Sequence, residues 1–344
     1  MPEDTIDHIN FDDLNARAIS SPLVKHIYTA DPAVHVFEGK IYIYPSHDID
    51  AGDAFDDLGS HFAMEDYHVL SMETPTSEVV DHGVALHVNE VPWAAKQMWD
   101  SDCNEKDGKY YMFFSAKDHE GIFRIGVAIS DTPTGPFIAA PMAIENSFSI
   151  DPCVYKDKDG SYYIYFGGIW GGQLQRWRTG SFKAEQADSP TAFLPKDDEP
   201  ALMPKVAKLS NDLLSFSETP KDLILLDPAG NPLLQGDTNR RFFEASWMHQ
   251  YNGKYYFSYS TGDTHYLCYA IGDSPYGPFT YQGIILEPVV GWTTHHSIVE
   301  FNNRWFLYYH DSSLSKGVTH LRSIKVTELF YNPDGTIQTI KPYK

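Results

Sequence analysis

Basic residues are scarce in this chain. Lys and Arg total 26 against 47 Asp and Glu, a formal net charge of -21 over 344 residues with a pI near 5.0. So acidic a surface repels phosphate backbones and anionic headgroups, which argues against nucleic-acid and membrane partners. No run approaches the eighteen apolar residues of a membrane span. Cysteine is rare too. Cys103, Cys153 and Cys268 are odd in number and lack zinc spacing, so they are read as small buried residues in a reducing compartment rather than a disulfide framework. The first twenty residues, MPEDTIDHINFDDLNARAIS, carry neither a basic n-region nor an apolar h-region, and a cytoplasmic location is expected. A glycine-rich phosphate loop, a G-x-S-x-G elbow and an H-E-x-x-H helix are all missing. Helical periodicity is nearly absent as well, the best candidate being short, around Asn211 to Phe216.

Aromatic residues, in contrast, are dense: 22 Tyr, 20 Phe and 7 Trp, 14% of the chain. Hydrophobic residues reach 42%, enough for a core. Many of the aromatics fall in five segments of one pattern: EGKIYIYPS (38–46), DGKYYMFFS (107–115), DGSYYIYFG (159–167), NGKYYFSYS (252–260) and NNRWFLYYH (302–310). Asp-Gly and Asn-Gly between alternating apolar runs predict hairpins, because a type I′ turn needs positive φ at both central residues. A second element, GVAISDTPTGPF (126–137) and CYAIGDSPYGPF (268–279), reads as a third strand ending in a Pro/Gly corner. Five strand-rich repeats at about 69 residues each exceed ordinary propeller repeats, the excess falling in polar loops at 47–98 and 169–243. The expectation is an all-β, single-domain five-bladed β-propeller over 23–344 with a central pocket, preceded by an N-terminal segment, 1–22. A two-sheet sandwich would not require repeats in phase.

Counting back from each turn aligns the strand entrances. Asp31 lies eight residues before Gly39, Trp99 nine before Gly108, Asp151 nine before Gly160, Glu244 nine before Gly253, and His295 eight before Asn303. Equivalent positions on innermost strands converge on the propeller axis, so three carboxylates, an indole and an imidazole should meet at one mouth. An Asp before Pro, as at Asp31 and Asp151, could merely open an extended strand, but both falling in register with Glu244 points to function. Carboxylates crowded at an axis repel and lose hydration unless a proton, a cation or a reaction offsets the cost. Paired carboxyls flanking a neutral acetal are the equipment of glycoside hydrolysis. Trp99, and less directly Trp170 and Trp292, offer flat faces to a sugar ring or pack between blades. Arg322, amid apolar residues, either forks to sugar hydroxyls or pairs with an acid. His295 and His296 point to opposite faces of a strand, and the count selects His295 for the axis, where it could hold a cation, orient a carboxylate or serve structure alone.

The sequences YTADPAVHVFEGKIYIYPSHD, SIDPCVYKDKDGSYYIYFGG, FFEASWMHQYNGKYYFSYSTG and TTHHSIVEFNNRWFLYYHD together resemble glycoside hydrolase family 43, from about Leu23 to Tyr331. The resemblance implies inversion at the anomeric carbon, with Asp31 matching the general base, Glu244 the general acid and Asp151 the acid that tunes and orients its partner. His295 matches a histidine supporting a central Ca2+ through water, and Arg322 a late arginine that contacts sugar; no organic cofactor is implied. The second repeat departs from the family pattern, reading MWDSDC where many relatives have W-A-P-D. An extra β-sandwich closing the pocket after the fifth repeat is not expected, and the loops at 47–98 and 169–243 are expected to wall it. The resulting expectation is an exo-acting β-xylosidase or α-L-arabinofuranosidase acting on short xylan-type oligosaccharides. Endo-acting arabinanase, a retaining fructan-cleaving propeller and a non-catalytic sugar-binding propeller are the alternatives.

Overall fold

The structure is a computed structural model and describes residues 8–292 and 295–344. Five sheets, antiparallel at their inner strands, follow one another along the chain, and one strand of each lies innermost. These strands are Tyr28–Phe37, Ser101–Lys106, Cys153–Lys156, Glu244–Tyr251 and His296–Phe301. Each touches the next and the fifth touches the first, so the ring is closed around an axis. Closure also uses the start of the chain: the Leu23 amide donates to the Ile324 carbonyl at 2.8 Å, outside the last strand of blade five. The C-terminal residue meets the helix Phe11–Arg17, the Lys344 amide donating to the Arg17 carbonyl at 2.8 Å.

Four of the five hairpins are the expected two-residue turns. Glu38-Gly39, Asp107-Gly108, Asn252-Gly253 and Asn302-Asn303 all have positive φ at both residues. The third differs. The Asp157 amide pairs with the Ser161 carbonyl, so Lys158, Asp159 and Gly160 all lie in the loop, and Asp159-Gly160 closes a longer turn than its sequence suggested.

The 268–279 and 126–137 elements are the third strands of blades four and two (Leu267–Gly272 and Phe123–Ser130), and their corners lock neighbouring blades together. Tyr44 of blade one donates its hydroxyl to the Pro133 carbonyl at 2.7 Å, and Tyr165 of blade three reaches Pro275 at 2.9 Å. Both rings are fully buried. Each therefore adds apolar burial worth about 1.5–3 kcal/mol while its polar end is satisfied. This use of tyrosine explains the aromatic density: most of the largest fully buried side chains are Tyr.

The excess length at 169–243 is divided between blades. Lys221–Asp222 is the outer strand of blade three, and Leu225–Leu226 adds in parallel to the outside of blade four. The helix expected near Asn211–Phe216 is instead a turn in which the Asp212 carboxylate caps the Leu214 amide. Among the described residues the α-helix is Phe11–Arg17, capped by the Asn10 side chain. All three cysteines are buried and free.

Candidate active site

Each inner strand enters its blade at the same end of the axis, and a cavity of about 390 Å³ lies there, within the range of small-molecule sites. Asp31, Trp99, Asp151, Trp170, Glu244, His295 and Arg322 all line it. The turn count had placed Asp31, Trp99, Asp151, Glu244 and His295 at one mouth; the fold brings these five together and adds Trp170 and Arg322, whose roles the sequence left open.

The entrances are not extended. Asp31 and Asp151 adopt left-handed backbone, φ 48° and 61°, although each precedes a proline. The strand-opening role that Asp-Pro could have played is therefore excluded. In both blades the residue after the proline rejoins the ladder, Ala33 opposite Tyr44 and Cys153 opposite Tyr165. Blade four repeats the kink at Ala245, φ 68°, with Trp247 rejoining opposite Ser258. Such backbone costs about 1–3 kcal/mol per residue and clusters where geometry serves a site. Here the kink turns a carboxylate out of the ladder toward the axis.

Aligned by these kinks and by hairpin closure, the equivalent residues are Asp31, Asp100, Asp151, Ala245 and His295. This corrects two positions. The axial residue of blade two is Asp100, which the count of nine missed by one; a count of eight, the one that gives Asp31 and His295, falls on it. Trp99 lines the wall beside it, with its indole N–H donating to the Phe62 carbonyl at 2.7 Å and its ring against Phe123. Glu244 sits one residue ahead of the register, immediately before the kink.

The carboxylates are tied to one another through backbone. Asp100 Oδ1 accepts the Asp151 amide at 3.0 Å, and Asp151 Oδ2 accepts the Ala245 amide at 2.6 Å. Asp151 thus fixes the peptide next to Glu244. Asp102, the other acid of the MWDSDC stretch, works between blades, accepting the amides of Cys103 and Val154 and pairing with His35.

Arg322 forms a buried fork. Its Nε and Nη2 donate to Asp48 at 2.8 and 2.7 Å, and Nη1 donates to Asp31 Oδ1 at 3.0 Å. His310 and His295 approach the same oxygen at 3.6 and 3.7 Å, and the Asp31 amide donates to His310 Nδ1. Burial by itself would raise the Asp31 pKa. The Arg322 guanidinium, with the two histidines, outweighs it and brings the group down to about 2. Glu244 moves the other way. Burial, then the charges of Asp31 and Asp100, raise it to about 8 against the pull of Arg322. Burial, Asp100 and Glu244 push Asp151 well above the usual carboxylate range.

Asp100, Asp151 and His295 each present a ligand atom within 4.8 Å of the others. Asp100 Oδ2 is buried and has no hydrogen-bond partner among the described residues. An orphaned carboxylate oxygen in an acidic cluster fits a cation.

Loops wall the cavity as their length suggested. Phe55, Asp56, Asp57, His61 and Phe62 come from the 47–98 insertion, and Trp170 with its glycines from 169–243. Trp170 stacks on Trp292 at 5.8 Å between ring centroids, with Phe243 edge-on to both. The wall is tight: a Cβ on Gly59, where φ is +77°, would lie 2.7 Å from the Trp99 ring, and one on Gly171 2.7 Å from the Leu58 carbonyl oxygen.

Residues 22–337 match the family model of glycosyl hydrolases family 43. A xylosidase/arabinosidase of Bacteroides ovatus is 60% identical over 320 residues, 93% of this chain and 97% of its own. Xylosidase/arabinosidase 43A of Humicola insolens is 58% identical over 331 residues, 94% of this chain and 99% of its own. Among solved structures, a β-xylosidase/α-arabinofuranosidase from a compost microbial metagenome, in complex with xylotriose and calcium-free, superposes with a TM-score of 0.92 at 63% identity. That match covers 94% of this chain and 98% of that one.

Proposed function

The chain belongs to glycosyl hydrolase family 43, and on that footing we propose that it is an inverting exo-glycosidase releasing terminal xylose, L-arabinofuranose or both from short xylan-type oligosaccharides. One observation carries the reading: in a single cavity one carboxyl, Asp31, is held ionised and another, Glu244, is held protonated at neutral pH. Two carboxyls pushed apart in this way are a base and an acid.

A water hydrogen-bonded to Asp31 loses its proton to that carboxylate as it attacks the anomeric carbon. Glu244 gives its proton to the departing glycosidic oxygen, and the configuration inverts. Asp151 is a positioning residue, holding the Ala245 amide beside Glu244. Arg322 keeps Asp31 ionised, and Trp99 and Trp170 give the sugar flat walls. Those loop walls favour a terminal sugar over the open groove that an endo-arabinanase needs. Proton NMR of xylotriose hydrolysis tests the whole reading. Xylose should appear first as the α-anomer from a β-linkage, with xylobiose as the coproduct. A first-formed β-anomer would mean a retaining mechanism. Internal cleavage of linear arabinan would mean an endo-enzyme, and binding without release of sugar a non-catalytic propeller.

Calcium is the cation proposed for the axis. Asp100 and Asp151 supply the oxygen atoms that it prefers, and His295 completes the site through water. When bound it supplies positive charge that offsets the crowded carboxylates. Chelation is expected to lower kcat and melting temperature together, both restored by added Ca2+, while a His295→Ala variant responds less to either treatment. A parent enzyme indifferent to chelator on both readouts would remove the metal from the proposal.

A further inference from the structure

A second cluster of metal-ligating side chains lies in blade one, and none of its members lines the catalytic cavity. Strand Lys40–Asp48 pairs antiparallel with strand Asp66–Met72, Ser46 opposite Tyr67. That register sets His47 across from Asp66, and His68 two residues further along the same face. Ser46 and Tyr67, on the opposite face, are fully buried, whereas His47, Asp66 and His68 keep 18%, 15% and 11% of their side-chain surface in solvent. The three ligand atoms fall within 4.8 Å of one another. His47 Nδ1 lies 2.6 Å and His68 Nε2 4.0 Å from the same Asp66 oxygen.

The support around this trio distinguishes it from a surface ion pair. His68 Nδ1 is held by Asp81 Oδ1 at 2.9 Å, and the other Asp81 oxygen is held by His26 at 2.7 Å. A carboxylate on one ring nitrogen of a histidine fixes its tautomer and aims the other nitrogen, the arrangement that accompanies metal-ligating imidazoles. Here Asp81 leaves His68 Nε2 directed toward Asp66. The two strands are hydrogen-bonded neighbours in a four-stranded sheet, so the backbone already holds the three side chains side by side, and rotamer adjustment brings them to zinc-ligand distances of about 2.0–2.2 Å.

We infer that His47, Asp66 and His68 form a site for a borderline divalent cation of the Zn2+ class, with Asp81 as its outer carboxylate. Two imidazoles and one carboxylate select such an ion over calcium, which takes oxygen ligands. The ion replaces the proton shared between His47 Nδ1 and Asp66, and that proton leaves to solvent. The open positions are filled by water, and the ion clips two adjacent strands of blade one. The inference is independent of the proposed glycosidase activity.

Titration of the chelator-treated full chain with Zn2+, followed by calorimetry and thermal melting, tests it. A His295→Ala background separates the blade site from the axis. One equivalent is expected to remain in that background and to raise the melting temperature. Asp81→Asn should weaken it by about 10–100-fold and His68→Gln by at least as much. His68→Gln should hydrolyse xylotriose at the parent rate without zinc, which reports an intact fold. Asp66→Asn replaces it if that variant misfolds. X-ray absorption of the zinc-loaded His295→Ala protein should show imidazole in the inner shell. Equal zinc affinity in the parent, His68→Gln and Asp66→Asn, loss of all zinc binding in His295→Ala, or an oxygen-only inner shell would each overturn the inference.

Discussion

Glu244→Gln is expected to lower kcat on xylotriose by about 10²–10⁴-fold, the usual contribution of a general acid, while leaving aryl glycosides with very good leaving groups much less affected. The amide keeps the size and burial of the side chain but has no proton to give. A sugar alkoxide cannot depart without that proton, whereas a dinitrophenolate can. The variant should also change the pH profile. In the parent, the active form carries the proton, so kcat/KM holds below the Glu244 pKa and falls as pH rises through about 8. In Glu244→Gln that alkaline limb should disappear, because the group that titrated is gone. The fold should be retained, since replacing a neutral buried acid with an amide creates no unpaired charge. Equal losses on both substrates, or a surviving limb near pH 8, would assign the acid to another residue.

How far this site could be read in the sequence follows from where the information lies. Hairpin turns are local, so Asn-Gly and Asp-Gly locate the inner strands, and those strands bring residues hundreds apart to one axis. Asp31, Asp151 and His295 were legible for that reason. Asp100 was not, because counts of eight and nine were mixed, and the longer third turn at Asp157–Ser161 concealed the mixing. The count of nine reached Glu244 as well, although the kinked residue of blade four is Ala245 and the carboxylate precedes it. The partner of Arg322 was undecidable. Asp48 is 274 residues away, and nothing local distinguishes an arginine awaiting a sugar from one already bound by two acids. The locking of Tyr44 and Tyr165 onto prolines of the next blade was hidden for the same reason, although both halves of the contact stood out as repeats.

Asp31→Asn is expected to be the second severe variant, with a signature that the first lacks. Loss of the base should cost kcat about 10²–10⁴-fold on every substrate, whatever its leaving group, because water must be deprotonated in each case. The Arg322 guanidinium keeps both of its bonds to Asp48, and the amide oxygen of the substituted side chain can still accept from Nη1, so the buried guanidinium is not stranded. The stability cost should then stay near the roughly 1.5–3 kcal/mol of one charged hydrogen bond, below that of breaking a buried pair outright. The further effect reaches Glu244. After burial, the negative charge of Asp31 is the largest influence raising that group to about 8. Neutralising residue 31 while Arg322 stays in place removes the repulsion and leaves the attraction. The Glu244 pKa must fall, and the alkaline limb of the residual activity on xylotriose should move below pH 8. A residual limb at the parental position would show that burial and Asp100 set the acid without Asp31. Asp31 and Glu244 would then act in one reaction without tuning one another.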